Sequence, residues 1–412
     1  MQQILIEKPY RFIPPYRGRW WPTLIRDANL NGLWLRRAQG VEEYELRNVT
    51  HLTRSLQAGH GILLTPNHSR LADPLVMGWL AREARCLVYA MASWHLFNSG
   101  RFTAWAIRRM GGFSVYREGV DRQAINVAIE VLETAARPLV IFPEGAVSRT
   151  NDRLQALLDG VAFVARAAAK RRAKAVRGGR VVVHPVAIKY LFGGDLDVTA
   201  DPVLTEIEQR LSWQPQKQLP TDQRIAKVGL ALLSLKELEY LGRTSADPLA
   251  DRMQRLIDRL LCPLEEEWLG APAPGAVIPR VKVLRMKIMP DMVRGSLAEA
   301  ERQRRWRQLS DIYLAQQISN YPPNYLRHPT VERLLETIER YEEDLTDRVR
   351  VHGHLKAIID VGPPIPVSPE RDRHATVDPL MAEIERQLQG MLDRLAGESR
   401  IYSAPTSPAA AH

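Results

Sequence analysis

His68 and Asp73 stand five positions apart in the segment Asn67-His68-Ser69-Arg70-Leu71-Ala72-Asp73. Imidazole is the side chain best suited to take a hydroxyl proton near neutral pH. A carboxylate bonded to its second ring nitrogen fixes the tautomer and steadies the imidazolium that forms. On this reading His68 is a general base and Asp73 its orienting partner. A plainer reading stands beside it: Asp73-Pro74 makes a good helix start, which leaves His68 on an ordinary loop. Asp73 is able to do both jobs. Three more segments follow in order: Gly111-Gly112-Phe113-Ser114-Val115-Tyr116-Arg117, Phe142-Pro143-Glu144-Gly145, and Val183-His184-Pro185-Val186-Ala187-Ile188. Arg117 closes an apolar run, where a guanidinium can fork two hydrogen bonds to a phosphate. Its bland alternative is a surface arginine beside Glu118, which is worth little. Glu144-Gly145 ends another apolar run, and the glycine lets backbone approach a ligand closely.

Such groups need a scaffold that brings them to one place. Residues 61–65, 86–92, 113–116, 138–142 and 181–188 predict short buried strands, rich in apolar and β-branched residues. Helical spacing fills the stretches 74–84, 102–110, 121–136 and 154–174. The alternation predicts an α/β domain built on a mostly parallel sheet flanked by helices, with its site beyond the carboxyl ends of the strands. The His68 and Glu144 segments both follow strands directly. After Tyr190 the pattern turns to charged amphipathic helices, until residues 356–361 read as one more strand before Pro363-Pro364-Ile365-Pro366. A closing helix carries Leu380, Ile384, Leu388, Met391 and Leu395.

The four segments, in this order and strand context, resemble the lysophosphatidic acid (1-acylglycerol-3-phosphate) acyltransferase family, also called glycerolipid acyltransferases. The resemblance covers roughly residues 45–192 and, more weakly, 352–396. Asn67, His68 and Asp73 match the NHx4D motif; Gly111 and Arg117 match the ends of the second motif, with Ser114 in place of its aromatic; Phe142 to Gly145 match FPEG. The family commonly continues FPEG with threonine and arginine, where this chain has Ala146 and Val147, so Ser148 and Arg149 are the residues to take over the anion contact. The resemblance implies His68 and Asp73 as the catalytic pair. It implies Asn67, Gly111, Arg117, Glu144, Gly145, Ser148 and Arg149 as substrate-binding. It also implies transfer of a fatty acyl group from acyl-CoA or acyl carrier protein to a lysolipid hydroxyl, by default 1-acylglycerol-3-phosphate giving phosphatidic acid. The altered third motif leaves a different lysolipid acceptor open. A catalytically idle lipid-binding scaffold is the rival from another class, and an intact His68/Asp73 pair argues against it.

The family pattern normally closes soon after its fourth motif, whereas here about 150 residues intervene. The expected division is therefore an N-terminal segment over 1–44, an acyltransferase domain over 45–201 plus 351–398, a helical insertion over 202–350 and a disordered tail over 399–412. The net charge of +10, from 57 Lys+Arg against 47 Asp+Glu, favours anionic surfaces. No nucleic-acid motif accompanies it, so an acidic lipid surface is the expected partner. Tyr10, Phe12, Tyr16, Trp20 and Trp21 alternate with Lys8, Arg11, Arg17 and Arg19, a mixture that suits either bilayer headgroups or a segment packed on the core. The chain shows no secretory leader and no apolar run long enough to span a bilayer, which predicts a cytoplasmic protein lying peripherally on the inner face of a membrane. Neither Cys86 nor Cys262 has neighbouring metal ligands, and His95, His184, His352 and His354 lack the spacing of a metal site. No metal and no cofactor beyond the acyl donor are expected; the oligomeric state is open.

Overall fold

The computed structural model describes residues 7–295, 297–322, 324–346, 348–371 and 377–404. In chain order the elements are α1 (Trp20–Asp27), α2 (Leu30–Gln39), β1 (Val41–Arg47), α3 (Val49–Gln57), β2 (Gly61–Pro66), α4 (Asp73–Glu83), β3 (Tyr89–Ser93), α5 (Arg101–Arg109), β4 (Gly112–Val115), α6 (Arg122–Thr134), β5 (Leu139–Val140), α7 (Gly160–Ala175) and β6 (Val181–Phe192). Then come α8 (Leu196–Arg210), α9 (Thr221–Leu241), α10 (Leu249–Leu269), α11 (Val277–Arg294), α12 (Glu299–Ser319), α13 (Val331–Thr346), β7 (Leu355–Val361), β8 (Ile365–Pro366) and α14 (Pro379–Ala396).

The strands form one mostly parallel sheet in the order β1-β7-β6-β2-β5-β3-β4, with β8 also beside β6. β2 through β6 run parallel to their neighbours among themselves, whereas β7 and β8 run antiparallel to β6. β6 is buried along nearly its whole length, as a near-continuous apolar run at the centre of a two-sided sheet must be. Pro185 has no N–H to give a ladder, and it falls where the partner of β6 changes from β7 to β8. Alternation along β2 sends Ile62 and Leu64 into one core, with α4, α8 and α13, and Leu63 into the other, with α6, α7 and α14.

Leu355–Val361 joins the sheet between β6 and β1, so the helices α8 to α13 leave and re-enter the fold between adjacent strands. The boundary expected at 201/202 falls inside α8, and Leu204, Ile207, Leu335 and Ile338 belong to the same core as the sheet. Helices α10, α11 and α12 instead share a core of their own, through residues such as Leu256, Leu284 and Leu309. Helical periodicity looks alike in both places, because it reports an apolar stripe and not what that stripe covers.

Three other boundaries shift. The line at 44/45 cuts β1, an edge strand whose Glu42 and Glu43 are exposed and whose pattern is too polar to read as a buried strand. The helix expected from Leu154 starts at Gly160, because residues 151–158 are used in loop contacts. The tail expected from 399 is ordered at its start: Val331 donates its backbone N–H to the Arg400 carbonyl at 2.8 Å, and the Tyr402 hydroxyl reaches Asp197 at 2.8 Å. Residues 405–412 lie outside the described residues. At the other end Tyr10 stacks on Tyr116 and donates to Asp121, and at the β4 edge the Ile13 carbonyl accepts the Ser114 N–H while the Ile13 N–H donates to the Ser114 hydroxyl. The segment is thus packed at Tyr10 but exposed at Trp20.

Candidate active site

His68 lies in the turn between the carboxyl end of β2 and the start of α4. Its Nδ1 donates to Asp73 Oδ2 at 2.9 Å, which leaves the lone pair of Nε2 as the basic position. The ring tilts over Phe142, with centroids 4.2 Å apart, and its side chain is only partly exposed. Asp73 is fully buried and receives two more donors: the Arg70 backbone N–H at 2.9 Å and the Tyr190 hydroxyl at 2.5 Å. A group facing only donors acts as a carboxylate acceptor, so it fixes the imidazole tautomer and lies ready to stabilise an imidazolium. Burial, and next the charge of Asp73, hold the Tyr190 phenol well above its usual range, so it stays a donor. Tyr190 was not singled out from the sequence. Its position at the end of an apolar strand carried no mark of chemistry.

The remaining motif residues hold this turn in place. Asn67 is buried, donates to the Ile188 carbonyl at 3.0 Å and accepts the Ile188 N–H at 2.7 Å, so it extends the β2–β6 ladder by one side chain. Glu144 accepts the His68 N–H at 2.6 Å and the Gln155 N–H at 2.9 Å. Both its oxygens are engaged by backbone; burial nevertheless pushes its carboxyl up to about 7. Ser148 donates its N–H to the His68 carbonyl at 2.7 Å, which completes the lacing of the two loops. Gly145 has φ +68, and a side chain there would run into Leu158. Gly111 has φ +98, with the Val88 carbonyl where a Cβ would stand. Asn67, Glu144, Gly145 and Ser148 position the site, whereas Gly111 stands just before the start of β4, at the far end of the strand from this rim.

The arginines divide. Arg149 donates to Glu343 of α13 at 2.5 Å, and Arg70 pairs with Glu339 at 2.8 Å; all four side chains are largely buried. Asn151 is fastened the same way, its N–H to Glu336 at 2.8 Å and its amide to the Tyr190 carbonyl at 2.6 Å. Arg149, expected to take over an anion contact, is therefore committed to Glu343 in this arrangement. Arg117, half-buried past the end of β4, makes no hydrogen bond or ion pair among the described residues. Burial pulls its guanidinium below the usual arginine value, with Glu118 opposing. In the sheet β5 and β3 lie between β2 and β4, so His68 and Arg117 stand at opposite ends of one rim.

The sequence model of the acyltransferase family matches residues 46–189, which contain the residues of this rim named so far except Tyr190 and the α13 glutamates. This stretch is similar to the acyltransferase family. The 1-acyl-sn-glycerol-3-phosphate acyltransferase of Streptococcus pneumoniae (strain ATCC BAA-255 / R6) is 33% identical over 110 residues, which are 27% of this chain. The match spans 38% of that relative's own length. The matched stretch thus runs from the end of β1 to most of β6, while α13, which pairs with its rim, comes from sequence beyond it.

Proposed function

We propose that this protein is an O-acyltransferase of glycerolipid synthesis, carrying a fatty acyl group from acyl-CoA or acyl carrier protein to the free hydroxyl of a lysolipid. The default acceptor is 1-acylglycerol-3-phosphate, and the product phosphatidic acid. The observation that carries the reading is the His68–Asp73–Tyr190 relay, with Nε2 left as base. His68 removes the acceptor hydroxyl proton as that oxygen attacks the thioester carbonyl. The tetrahedral intermediate collapses with loss of the thiolate, which recovers the proton from the imidazolium. No serine is acylated, since the acceptor oxygen is itself the nucleophile.

Phosphate recognition falls to Arg117, because Arg149 is already paired. An acceptor without phosphate is the second reading, favoured by the substituted third motif. Among the described residues no helix is long and apolar enough to cross a membrane. Trp20, Trp34 and Phe102 are exposed at 63%, 55% and 71%, and Trp20, Trp21, Trp105 and Phe102 follow one another edge to face or stacked. Arg17, Arg19 and Arg101 stand close by in the chain. We assign this face to the surface of an anionic membrane, on the cytoplasmic side. Incubating the purified protein with several lysolipids and both donors tests the function: transfer to lysophosphatidate that disappears in His68→Ala supports it, and turnover unaffected by that change sinks it.

A further inference from the structure

Arg70 stands two positions after the base and touches what holds Asp73 from both sides. Its backbone N–H donates to Asp73 Oδ2 at 2.9 Å, the same oxygen that accepts His68 Nδ1–H. Its guanidinium lies 5.5 Å from the centroid of the Tyr190 ring, whose hydroxyl donates to Asp73 Oδ1 at 2.5 Å. A cation over a phenol ring is drawn to the ring face and makes the O–H a better donor. A long, flexible side chain keeps such a place only where its far end is fixed. Glu339 of α13 fixes it with a fork, accepting Nη1 on Oε1 at 3.1 Å and Nη2 on Oε2 at 2.8 Å. Both side chains are largely buried. Helix α13 is anchored in turn: Leu334, Leu335 and Ile338 share a core with Ile62 and Leu64 of β2 and with Val76 and Leu80 of α4. The base, its carboxylate and Glu339 therefore hang from one core, although α13 lies beyond the matched stretch.

We infer that Arg70 and Glu339 are positioning residues for the catalytic pair: the insertion aims Asp73, and through it His68, by holding Arg70 against Tyr190. A carboxylate orients a base only as well as its own neighbours are fixed. Asp73 has three donors, and two of them, the Arg70 N–H and the Tyr190 hydroxyl, depend on where Arg70 sits. The charge of Glu339 matters as much as its reach. A lone cation this close would disfavour the imidazolium that forms when His68 takes a proton; paired with Glu339, Arg70 adds no net charge. The inference deepens the acyltransferase reading and rests on it for what the aiming serves.

Kinetics and chemical modification of the full chain test it together. Arg70→Met and Glu339→Met should each lower kcat about tenfold and change KM by less than about twofold. In a Tyr190→Phe background Arg70→Met should cost less than in the wild type, since part of its effect runs through the phenol. Changing both Arg70 and Glu339 to methionine should recover the urea midpoint, as apolar replacement of a buried pair does, and leave kcat low. Arg70→Lys keeps the charge without the fork and should fall between; it carries the test should the methionine variants not fold. The second readout needs no acyl transfer: the pH at which diethyl pyrocarbonate modifies His68 at half its maximal rate, followed by peptide mass mapping. The charged and titratable groups about His68 are Asp73, Arg70, Tyr190, Glu144 and Arg149, with Glu336, Glu339 and Glu343 of α13 behind them. Glu339→Gln uncovers the charge of Arg70 and should move that pH down by about half a unit or more. Glu208→Gln, which breaks a buried pair with Arg224 between α8 and α9, should lower stability and leave it in place. A kcat recovered together with stability in the double methionine variant overturns the proposal. So does an equal cost of Arg70→Met in both backgrounds, or a His68 midpoint that Glu339→Gln does not move. A midpoint that shifts as expected in a protein that transfers no acyl group would sink the transferase reading and leave this coupling standing; an active enzyme with an unmoved midpoint does the reverse.

Discussion

The two regions of the rim, over β2 and β5 and past β4, treat their arginines differently. Over β2 and β5, α13 brings Glu336, Glu339 and Glu343 down onto Asn151, Arg70 and Arg149, so each cation there has its carboxylate. Past the end of β4, Arg117 has no carboxylate partner in an ion pair among the described residues. An arginine in a family motif is therefore not a ligand contact by virtue of its type. Whether it binds substrate or staples a helix depends on what the rest of the fold sets opposite it. Low-dielectric burial makes the difference large: a satisfied pair is a fixed structural part, and an unsatisfied cation is a standing demand for an anion.

The greatest effect belongs to the base at the acidic end. His68→Ala should cut turnover by roughly a thousandfold or more with the fold intact, and Asp73→Asn should follow it, as in other base–carboxylate pairs. Steady-state kinetics beside circular dichroism checks both. Next comes the contrast between arginines. Arg149→Ala removes a largely buried charge-assisted bond to Glu343 and should cost about 2 kcal/mol of stability; changing both residues to methionine should recover part of it. Arg117→Ala should barely move the urea midpoint and should raise KM for a phosphorylated acceptor about tenfold or more. The reverse pattern would erase the distinction between the two ends.

The acidic end also predicts a pH dependence. Burial raises Glu144 and Glu336 from 4.5 to about 7, so the folded state holds more protons than the unfolded state between those values. Stability then falls as pH rises through that window, by up to about 3 kcal/mol per group. Glu336 accepts the Tyr325 hydroxyl at 3.0 Å on one oxygen and the Asn151 N–H on the other; a glutamine keeps both contacts with its carbonyl on the Asn151 N–H and its NH2 donating to the Tyr325 oxygen. Glu336→Gln should therefore flatten its share of the slope between pH 5 and 8 in urea titrations; a slope unchanged by it would mean that these carboxyls do not sense burial. The smallest effect is that of Tyr190→Phe, which removes one of three donors to Asp73 and should cost about tenfold in kcat with little change in KM.

Much of the α/β framework was legible from residue order. Short apolar runs alternating with helical spacing fit few architectures other than a mostly parallel sheet, and β2, β4 and β6 lie within a residue or two of their expected starts. What escaped was β1, whose edge position lets it stay polar, and the affiliation of α8 and α13 with the sheet and not with the insertion's own core. Amphipathic pattern says that a face is covered and leaves open by what.

The sequence by itself determined the His68–Asp73 relation, because the two residues belong to one turn and the start of one helix, where local geometry is enough to bring them together. Only the tertiary structure decided the partners: Tyr190 on Asp73, 117 positions away, and Glu343 on Arg149, 194 positions away. Such meetings depend on how sheet and helices pack, and no local spacing encodes them. Burial then sets the strength of each, since the same charge is cheap in water and costly in the core unless something answers it.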